Sequence, residues 1–233
     1  MKKLLLYSFL MSIVVLLPAC GDDDEPEGGS EQKDNHEWVD LGLPSGTLWA
    51  TTNVGASKPE EYGSYFAWGE TKPKSDYDWD TYKWCNGNPF KLTKYCNVSN
   101  YGDNDFVDNK TELEPEDDAA YVNWGSKWRM PTKAQLVELL AECDWQWTTT
   151  NGINGYLVKS KKNSASLFLP AVGFRWQDGL DHVGSYGYYW SRTLFTDNPY
   201  PSEAYYLLFS SDEVKCSGSL RHLGYSVRAV RVP

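Results

Sequence analysis

The chain has 233 residues, of which 41% are hydrophobic and 15% aromatic, and its formal net charge is −10. This composition excludes a disordered chain, and the negative charge makes nucleic acid and bare anionic membrane poor partners. The 11 Trp and 16 Tyr residues suit an exported domain with large aromatic side chains in its core or at a binding surface.

Residues 1–19 have the parts of an export signal. Lys2 and Lys3 precede an uncharged apolar stretch, residues 4–17, which is shorter than the roughly 20 residues of a membrane-spanning helix. The Leu-Pro-Ala-Cys sequence that ends at Cys20 resembles the lipobox of bacterial lipoproteins, in which this cysteine becomes the acylated N-terminus. A plain secretory signal or a short anchor is the alternative.

Residues 20–36 predict a flexible acidic tether, because they are rich in Gly, Pro, Ser and charge. The run from Asp22 to Glu25 resembles the export signal that sends lipoproteins to the outer face in Bacteroidota-type Gram-negative cells; a simple solvated tether is the alternative. Anionic headgroups repel such a run, so the acyl chains alone would contact the membrane. We therefore expect an outer-membrane lipoprotein that faces the cell exterior.

Four further cysteines can form disulfides if the protein is exported. Cys85 and Cys96 have ten residues between them, across a Gly-Asn-Pro turn, so we expect a local disulfide there. Cys143 and Cys216 would then connect a helix end to a late strand. Four cysteines allow three pairings, and their spacing leaves the choice open.

Residues 37–233 predict one domain that starts with strands and long loops. Residues 37–72 alternate short apolar stretches with Gly, Pro and Ser, which is typical of strands and turns. Residues 73–112 predict ordered loops, because their aromatic side chains require burial. These side chains are Tyr77, Trp79, Tyr82, Trp84 and Phe90.

Two helices are predicted in the middle of the chain. In the stretch EPEDDAAYVNWG, Pro115 suits the first turn, three acidic residues complement the helix N-terminus, and Gly125 can end the helix. In RMPTKAQLVELLAEC, Thr132 and Gln135 form a Thr-x-x-Gln capping box. The apolar stripe of this second helix consists of Leu136, Val137, Leu139 and Leu140.

After Cys143 the pattern indicates strands and therefore an α+β domain with an antiparallel sheet. The predicted strands are GYLVKS, SLFLPAVGFR, GYYWSRTL, AYYLLFSSDEV and GYSVRAVRV. Alternation places the side chains of the fourth strand on two faces. One face carries Tyr205, Leu207 and Phe209, and the other carries Tyr206, Leu208 and Ser210.

Seven stretches in order resemble the Fibrobacter succinogenes major paralogous domain. These stretches are VDLGLPSGTLWATTNVGA, YGSYFAWGET, NWGSKWRMPT, LFLPAVGFR, GYYWSRT, AYYLLFSS and GYSVRAVR, and together they cover roughly residues 37–232. That family comprises surface or secreted bacterial proteins related to the formylglycine-generating-enzyme-like branch of the C-type lectin fold. The resemblance implies a C-type lectin-like domain with neighbouring termini and long loops that present a binding surface.

The C-terminal part also resembles the variable proteins of diversity-generating retroelements, which display a hypervariable patch on this fold. The resemblance assigns a framework role to Tyr205, Leu207, Phe209, Val214, Gly224, Val227 and Arg228. It assigns exposed ligand-binding roles to Tyr206, Leu208, Ser210, Asp212, Lys215, Ser217, Ser219, His222, Leu223 and Tyr225. Cys216 departs from the pattern, which has a display residue at that place.

The aromatic residues just before this segment add two candidates. Rigid aromatic side chains bind ligands at a low entropy cost. We therefore expect Tyr186 and Tyr188 to be exposed and to line a carbohydrate or protein site, and Tyr189 and Trp190 to lie in the core.

No residue is assigned a catalytic role. Formylglycine-generating relatives use reactive cysteines, whereas only Cys216 stands in the C-terminal segment. The chain lacks a Gly-x-Ser-x-Gly motif, and nothing marks two of its carboxylates as a glycosidase pair. The chain has no Cys-x-x-Cys motif and its three His residues are scattered, so we expect no zinc site. We therefore expect no cofactor.

Calcium is the one metal that we consider as a ligand, because residues 103–118 are dense in the oxygen ligands that calcium prefers. Asp103, Asp105 and Asp108 miss the spacing of an EF-hand loop, so we favour a solvated loop followed by an acidic helix start. Arg228 and Arg231 are candidates for structural ion-pair partners of the acidic helix starts.

The sequence thus leads to the hypothesis of a non-catalytic, surface-exposed lipoprotein that binds a glycan or a protein on a lectin-like scaffold. One alternative is a structural adhesin or pilus-associated subunit that uses the fold for assembly. Another is a degenerate relative of formylglycine-generating enzymes.

Overall fold

The computed structural model describes residues 35–198 and 200–231, so the predicted signal peptide, Cys20 and nearly all of the predicted tether lie outside the described residues. The strands are β1 Trp38–Asp40, β2 Leu48–Asn53, β3 Tyr65–Phe66, β4 Cys143–Thr150, β5 Ile153–Ser160, β6 Ser166–Pro170, β7 Phe174–Trp176, β8 Gly179–Asp181, β9 Gly187–Leu194, β10 Glu203–Phe209, β11 Val214–Leu220, β12 Tyr225–Ser226 and β13 Arg228–Arg231. The helices are α1 Ala119–Trp124 and α2 Lys133–Glu142. The predicted α+β class is confirmed.

A five-stranded sheet with the order β11-β10-β9-β12-β3 forms the centre of the fold. Its strands are antiparallel neighbours except β9 and β12, which pair in parallel. Two three-stranded sheets, β4-β5-β6 and β1-β2-β13, and the β7-β8 hairpin complete the strand framework of the described residues.

The first and last strands lie in one sheet, because β2 pairs with both β1 and β13. Arg228, at the start of β13, is buried and donates from Nε to Asn53 Oδ1 at 2.8 Å and from Nη1 to the Thr51 carbonyl at 2.9 Å. Burial lowers the pKa of this guanidinium to about 10. The ion-pair role that we expected for Arg228 is therefore wrong, since its partners are neutral groups of β2.

The helix α2 begins as its sequence predicts. Thr132 and Gln135 form a reciprocal capping box, which satisfies two backbone donors at the helix start. Leu136 and Leu139 are buried against the central sheet, and Leu140 is half-buried. Val137 is 45% exposed, so the apolar stripe is narrower than predicted.

The first predicted helix is divided in two by a buried aspartate. A 3₁₀ turn, Pro115–Asp117, precedes α1, and Asp118 lies between them. The Asp118 carboxylate accepts from the backbone N–H groups of Ala120 at 2.9 Å and Met130 at 2.9 Å. The same side chain thus caps α1 and fixes the segment that leads into α2.

The central sheet is packed on both faces. One face holds Tyr189, Leu207 and Phe209 in a cluster with residues of α2, β5 and β6. The other face holds Trp190 and Tyr206 in a second cluster that includes buried aromatic residues from the first half of the chain. The predicted burial of Tyr189 and Trp190 is confirmed, and so is the predicted burial of Tyr205, Leu207 and Phe209.

The strand β4 was not predicted, although Trp145 and Trp147 alternate there with polar residues. Their rings lie 6.5 Å and 6.4 Å from the Phe209 ring, between centroids. Gly187 lies on β9, directly across from Phe209 of β10. A Cβ added to Gly187 would lie 2.0 Å from Phe209 Cζ. Only glycine therefore leaves room for that ring.

Tyrosine hydroxyls help to order the loops of residues 73–112. Buried Tyr77 and Tyr82 donate to the carbonyls of Tyr65 at 2.7 Å and Trp68 at 2.8 Å. Phe90, by contrast, is 57% exposed. Its predicted burial is wrong. Trp79 and Trp84 are half-buried.

Candidate ligand-binding face

One face of the central sheet gathers most of the predicted ligand-binding residues. Side chains that lie directly opposite each other on antiparallel strands point to the same face. Tyr206 lies between Trp190 and Ser217, and Leu208 lies between Tyr188 and Lys215. Ser219, across from Ala204, continues the row.

An aromatic cluster covers this face. We use this name for Phe174, His182, Tyr186, Tyr188, Tyr206 and Tyr225. Tyr188 is at its centre, with its ring centroid 5.0 Å from Phe174, 5.0 Å from Tyr225 and 6.0 Å from Tyr206. The rings of Tyr188 and Tyr206 are parallel within 5°. The outer members adjoin it, since Tyr186 lies 6.1 Å from Tyr188 and His182 lies 5.1 Å from Tyr186.

Exposure increases from the inner to the outer members of the aromatic cluster. Tyr225 and Tyr206 are 2% and 7% exposed, Tyr188 and Tyr186 are half-buried, and His182 is exposed. Burial raises the pKa of Tyr188 to about 12 and also raises that of Tyr206. These phenols are therefore neutral at physiological pH and offer hydrogen bonds rather than charge.

The predicted ligand-binding residues divide by exposure. Asp212 and Lys215 are exposed, and the half-buried ones are Tyr186, Tyr188, Leu208, Ser217, Ser219 and Leu223. The expected exposure of Tyr206, Ser210, His222 and Tyr225 is wrong, because all four are buried.

Each of these four residues is buried by identifiable contacts. Tyr225 stacks on Trp190 with ring centroids 4.2 Å apart, and its hydroxyl lies 2.7 Å from Ser219 Oγ. Tyr206 packs against the same tyrosine at 5.1 Å. Ser210 lies in the tight turn between β10 and β11, where its N–H donates to the Glu213 carbonyl at 2.9 Å.

His222 lies apart from the aromatic cluster. Its ring packs on Trp79 with centroids 4.5 Å apart. Burial lowers the pKa of His222 to about 4, although the nearby Asp78 carboxylate opposes that shift. A neutral imidazole is therefore a structural part of the contact with the loops.

Sequence reasoning missed two members of the aromatic cluster, Phe174 and His182. Phe174 was assigned to a strand, and His182 was counted only as a scattered histidine. His182 Nδ1 lies 3.1 Å from the Tyr188 hydroxyl. The short spacing between residues 182 and 188 was the only local signal for this contact.

Carboxylates of Glu114, Glu116 and Asp117 lie within 4.8 Å of one another. The Nζ of Lys94 is 2.6 Å from both Glu114 Oε2 and Asp117 Oδ2, and Tyr95 donates its hydroxyl to Asp117 at 2.7 Å. This ammonium group supplies the positive charge that three clustered acids require. The cluster is thus an ion-pair network built around a lysine.

Two of the acidic loop residues considered for calcium, Asp103 and Asp108, have hydrogen-bonding roles. Asp108 accepts from the N–H groups of Tyr95 at 2.8 Å and Cys96 at 2.9 Å. Asp103 accepts from Asn86 Nδ2 at 2.7 Å. These bonds hold the loops together.

Cys85, Cys96, Cys143 and Cys216 are free thiols in this structure, and the two disulfides stay a prediction. The thiols of the first pair donate to the carbonyls of Trp79 and Val98, each at 3.2 Å. Burial raises the pKa of Cys143 and of Cys216 to about 11. Burial also raises the pKa of Cys85 and of Cys96, so all four thiols are poorly disposed to react as thiolates.

No protein-family model, no curated protein and no solved structure matches this chain. Neither α1 nor α2, nor any other helix in the part of the chain that the structure describes, has the length and apolar character needed to cross a membrane.

Proposed function

We propose that this protein is a non-catalytic binding module that captures a glycan or a protein through the aromatic cluster. The observation that carries the proposal is the support of its partly exposed rings by buried ones. Tyr188 packs on both Tyr206 and Tyr225, and Tyr225 stacks on Trp190. Rings that are already fixed lose little freedom when a ligand binds, which favours affinity.

Polar groups beside the aromatic cluster support the same proposal. Ser217 and Lys215 lie on the same face as Tyr206 and Leu208, and Asp212 is exposed in the adjoining turn. Aromatic anchors at the centre and polar groups at the edge are the usual arrangement of a recognition site. Such a face suits sugar hydroxyls or a protein surface.

The scaffold would be a C-type lectin-like domain of the Fibrobacter succinogenes major paralogous type. The α+β class and the shared sheet of the first and last strands agree with that assignment. In this proposal the domain is attached through acylated Cys20 to the outer membrane and faces the cell exterior.

The binding site can be tested with Tyr186→Ala in the full chain, and Val137→Ala is the matched control because it removes an exposed apolar side chain on α2. Melting curves first establish that the variants are as stable as the wild type. Wild type and variants are then compared on a glycan array and on whole cells. We expect Tyr186→Ala to weaken binding at least tenfold, which is about 1.4 kcal/mol. Equal binding by wild type and Tyr186→Ala would place the site elsewhere.

The anchor can be tested separately. Cys20→Ser should release the protein from membranes, because no acyl chain would remain to hold it. A processed variant that stays in the membrane fraction would contradict lipid anchoring. Replacing Asp22–Glu25 by Ala should lower protease accessibility on whole cells without loss of acylation. Unchanged accessibility would leave the acidic run as a tether alone.

A second candidate function, assembly with other subunits, is favoured by Trp176, which is 50% exposed at the end of β7. Leu180 and Val183 are 40% and 38% exposed nearby in the chain, but the register places Leu180 on the other face of the hairpin. Large aromatic side chains are enriched at protein contacts. If assembly is the function, the wild type should self-associate in sedimentation and Trp176→Ser should be monomeric. Sedimentation of both proteins as monomers would remove this candidate.

A further inference from the structure

A cavity of about 470 Å³ opens beside the start of α2. Its lining consists of Ser126, Lys127, Arg129, Met130, Thr132, Gln135, Arg192, Val230 and Arg231. Four of these side chains are cationic, and none of the described residues that line the cavity is acidic. This charge is notable in a chain whose formal net charge is −10. We call this cavity the basic pocket.

Backbone hydrogen bonds fix the basic pocket from three segments. Arg129 and Val230 exchange two backbone bonds, at 2.9 Å and 2.8 Å, which join the segment before α2 to β13. The N–H of Arg192, on β9, donates to the Pro131 carbonyl at 2.8 Å. The positions of three arginines are thus set by the sheet framework rather than by a free loop.

The guanidinium groups are oriented by their neighbours. Arg129 lies over the Tyr121 ring at 4.1 Å, and its Nη1 donates to the Ser126 carbonyl at 2.8 Å. Arg231 lies over the rings of Trp38 and Trp128. These contacts reduce the freedom that the side chains would lose on binding a ligand.

Arg192 has donor capacity to spare. Its Nη2 is paired with Glu112 at 2.9 Å, but its Nε is buried and has no hydrogen-bond partner among the described residues. The Arg192 side chain is 29% exposed, and the guanidinium carries further N–H donors beyond the one paired with Glu112. An anionic oxygen is the strongest acceptor for such a group.

We infer that the basic pocket binds an oxyanion, namely a carboxylate, sulfate or phosphate group carried by a small molecule or a saccharide. Arginine forks match the geometry of these groups and hold their charge even in a confined site. The volume lies in the usual range for small-ligand sites, roughly 300–1,000 Å³. The basic pocket shares no residue with the aromatic cluster, so this inference does not depend on the proposed function.

The test titrates the full chain with sulfate, phosphate and glucuronate at constant ionic strength, with glucose as the neutral counterpart of glucuronate. Calorimetry reports the affinity. We expect saturable binding of at least one oxyanion and none of glucose. Arg192→Gln should weaken that binding about tenfold, and Lys127→Gln, at an exposed position that tolerates change, should weaken it a few-fold.

Lys159→Gln is the control, because it removes one exposed positive charge on β5 outside the basic pocket. It should leave the affinity unchanged. Two results would overturn the inference. One is the lack of saturable binding for all three oxyanions, and the other is an equal loss in Lys159→Gln and Lys127→Gln, which would mean that net charge alone is responsible.

Discussion

The two faces of β10 differ in what covers them. Leu207 and Phe209 are sealed beneath α2 and the β4-β5-β6 sheet, in a cluster held together by apolar contact. On the opposite face, Tyr206 is covered, whereas Leu208, two residues later, is half-buried. One strand therefore forms part of the core on one face and leads from core to surface on the other. Alternation identifies which side chains share a face, and the cover of each face depends on segments distant in sequence.

The two faces also differ in chemistry, since one is apolar and the other carries hydroxyl groups. The Phe209 ring is surrounded by Tyr156, Tyr189 and the tryptophans of β4, so shape complementarity dominates. The Tyr206 face carries phenol and serine hydroxyls among its rings. Mutations should therefore affect mainly stability on the first face, and should increasingly affect binding toward the open end of the second.

The largest expected effect is on the sealed face. Phe209→Ala should lower the free energy of unfolding by about 3–5 kcal/mol, because it leaves a cavity among rings that cannot all collapse into it. Leu208→Ala, on the half-buried face, should cost clearly less. Urea unfolding of both variants measures the contrast, and similar losses would mean that the two faces are equally packed.

The next effect concerns His222, which is buried where the segment between β11 and β12 contacts the loops of residues 73–112. The folded-state pKa of His222 is lowered from 6.5 to about 4, so between these values the unfolded state binds a proton that the folded state rejects. Stability should thus be unaffected by His222 above pH 6.5 and should fall by about 3 kcal/mol as the pH drops to 4.

Comparison with His222→Phe isolates this effect, since the variant keeps a ring against Trp79 and loses the titration. The stability difference between wild type and variant should change over pH 6.5–4. A constant difference across that window would show that folding does not lower the pKa of His222.

A smaller effect separates two tyrosines of the aromatic cluster. Tyr225→Phe should cost about 1 kcal/mol, because it removes the partner of Ser219 Oγ. The Tyr206 hydroxyl has no hydrogen-bond partner among the described residues, so Tyr206→Phe should change stability by less than about 0.5 kcal/mol. Thermal unfolding of the two variants tests this order, and the reverse order would assign the structural hydroxyl to Tyr206.

The smallest effect is expected on β11, the edge strand of the second face. Ser217→Ala should change stability by no more than about 0.5 kcal/mol, as is usual for surface positions. A larger loss would show that Ser217 belongs to the core of the face and not to its edge. Thermal unfolding, measured under the same conditions as for the tyrosine variants, gives the change in stability.

Local signals were enough to predict α2 and which side chains of β10 share a face. The Thr132–Gln135 capping box fixed the start of the helix within the sequence itself, and strict alternation fixed the sides of Leu207 and Phe209. Both features depend on neighbours a few residues away. The exposure of Val137 was missed because helical spacing defines a stripe without defining its width.

The candidate site could be predicted only in part, for a physical reason. Strand alternation placed Leu208 on the correct face, whereas Tyr188 was proposed as an exposed aromatic residue and Lys215 was assigned from the family resemblance. The burial of Tyr225 depends on Trp190, and that of His222 depends on Trp79. Likewise, the pairing of Asp117 with Lys94 rather than with Arg228 joins separate loops. Such contacts follow from topology, which no local pattern encodes.

The tight fit between Gly187 and Phe209 also restricts how this protein can evolve. These residues are direct cross-strand partners, and any side chain at position 187 would occupy the space of the ring. Replacement of the glycine should be harmful while phenylalanine is present and tolerated once a smaller residue stands at position 209. The two sites should therefore show strong epistasis, in which the order of substitution decides whether a lineage survives.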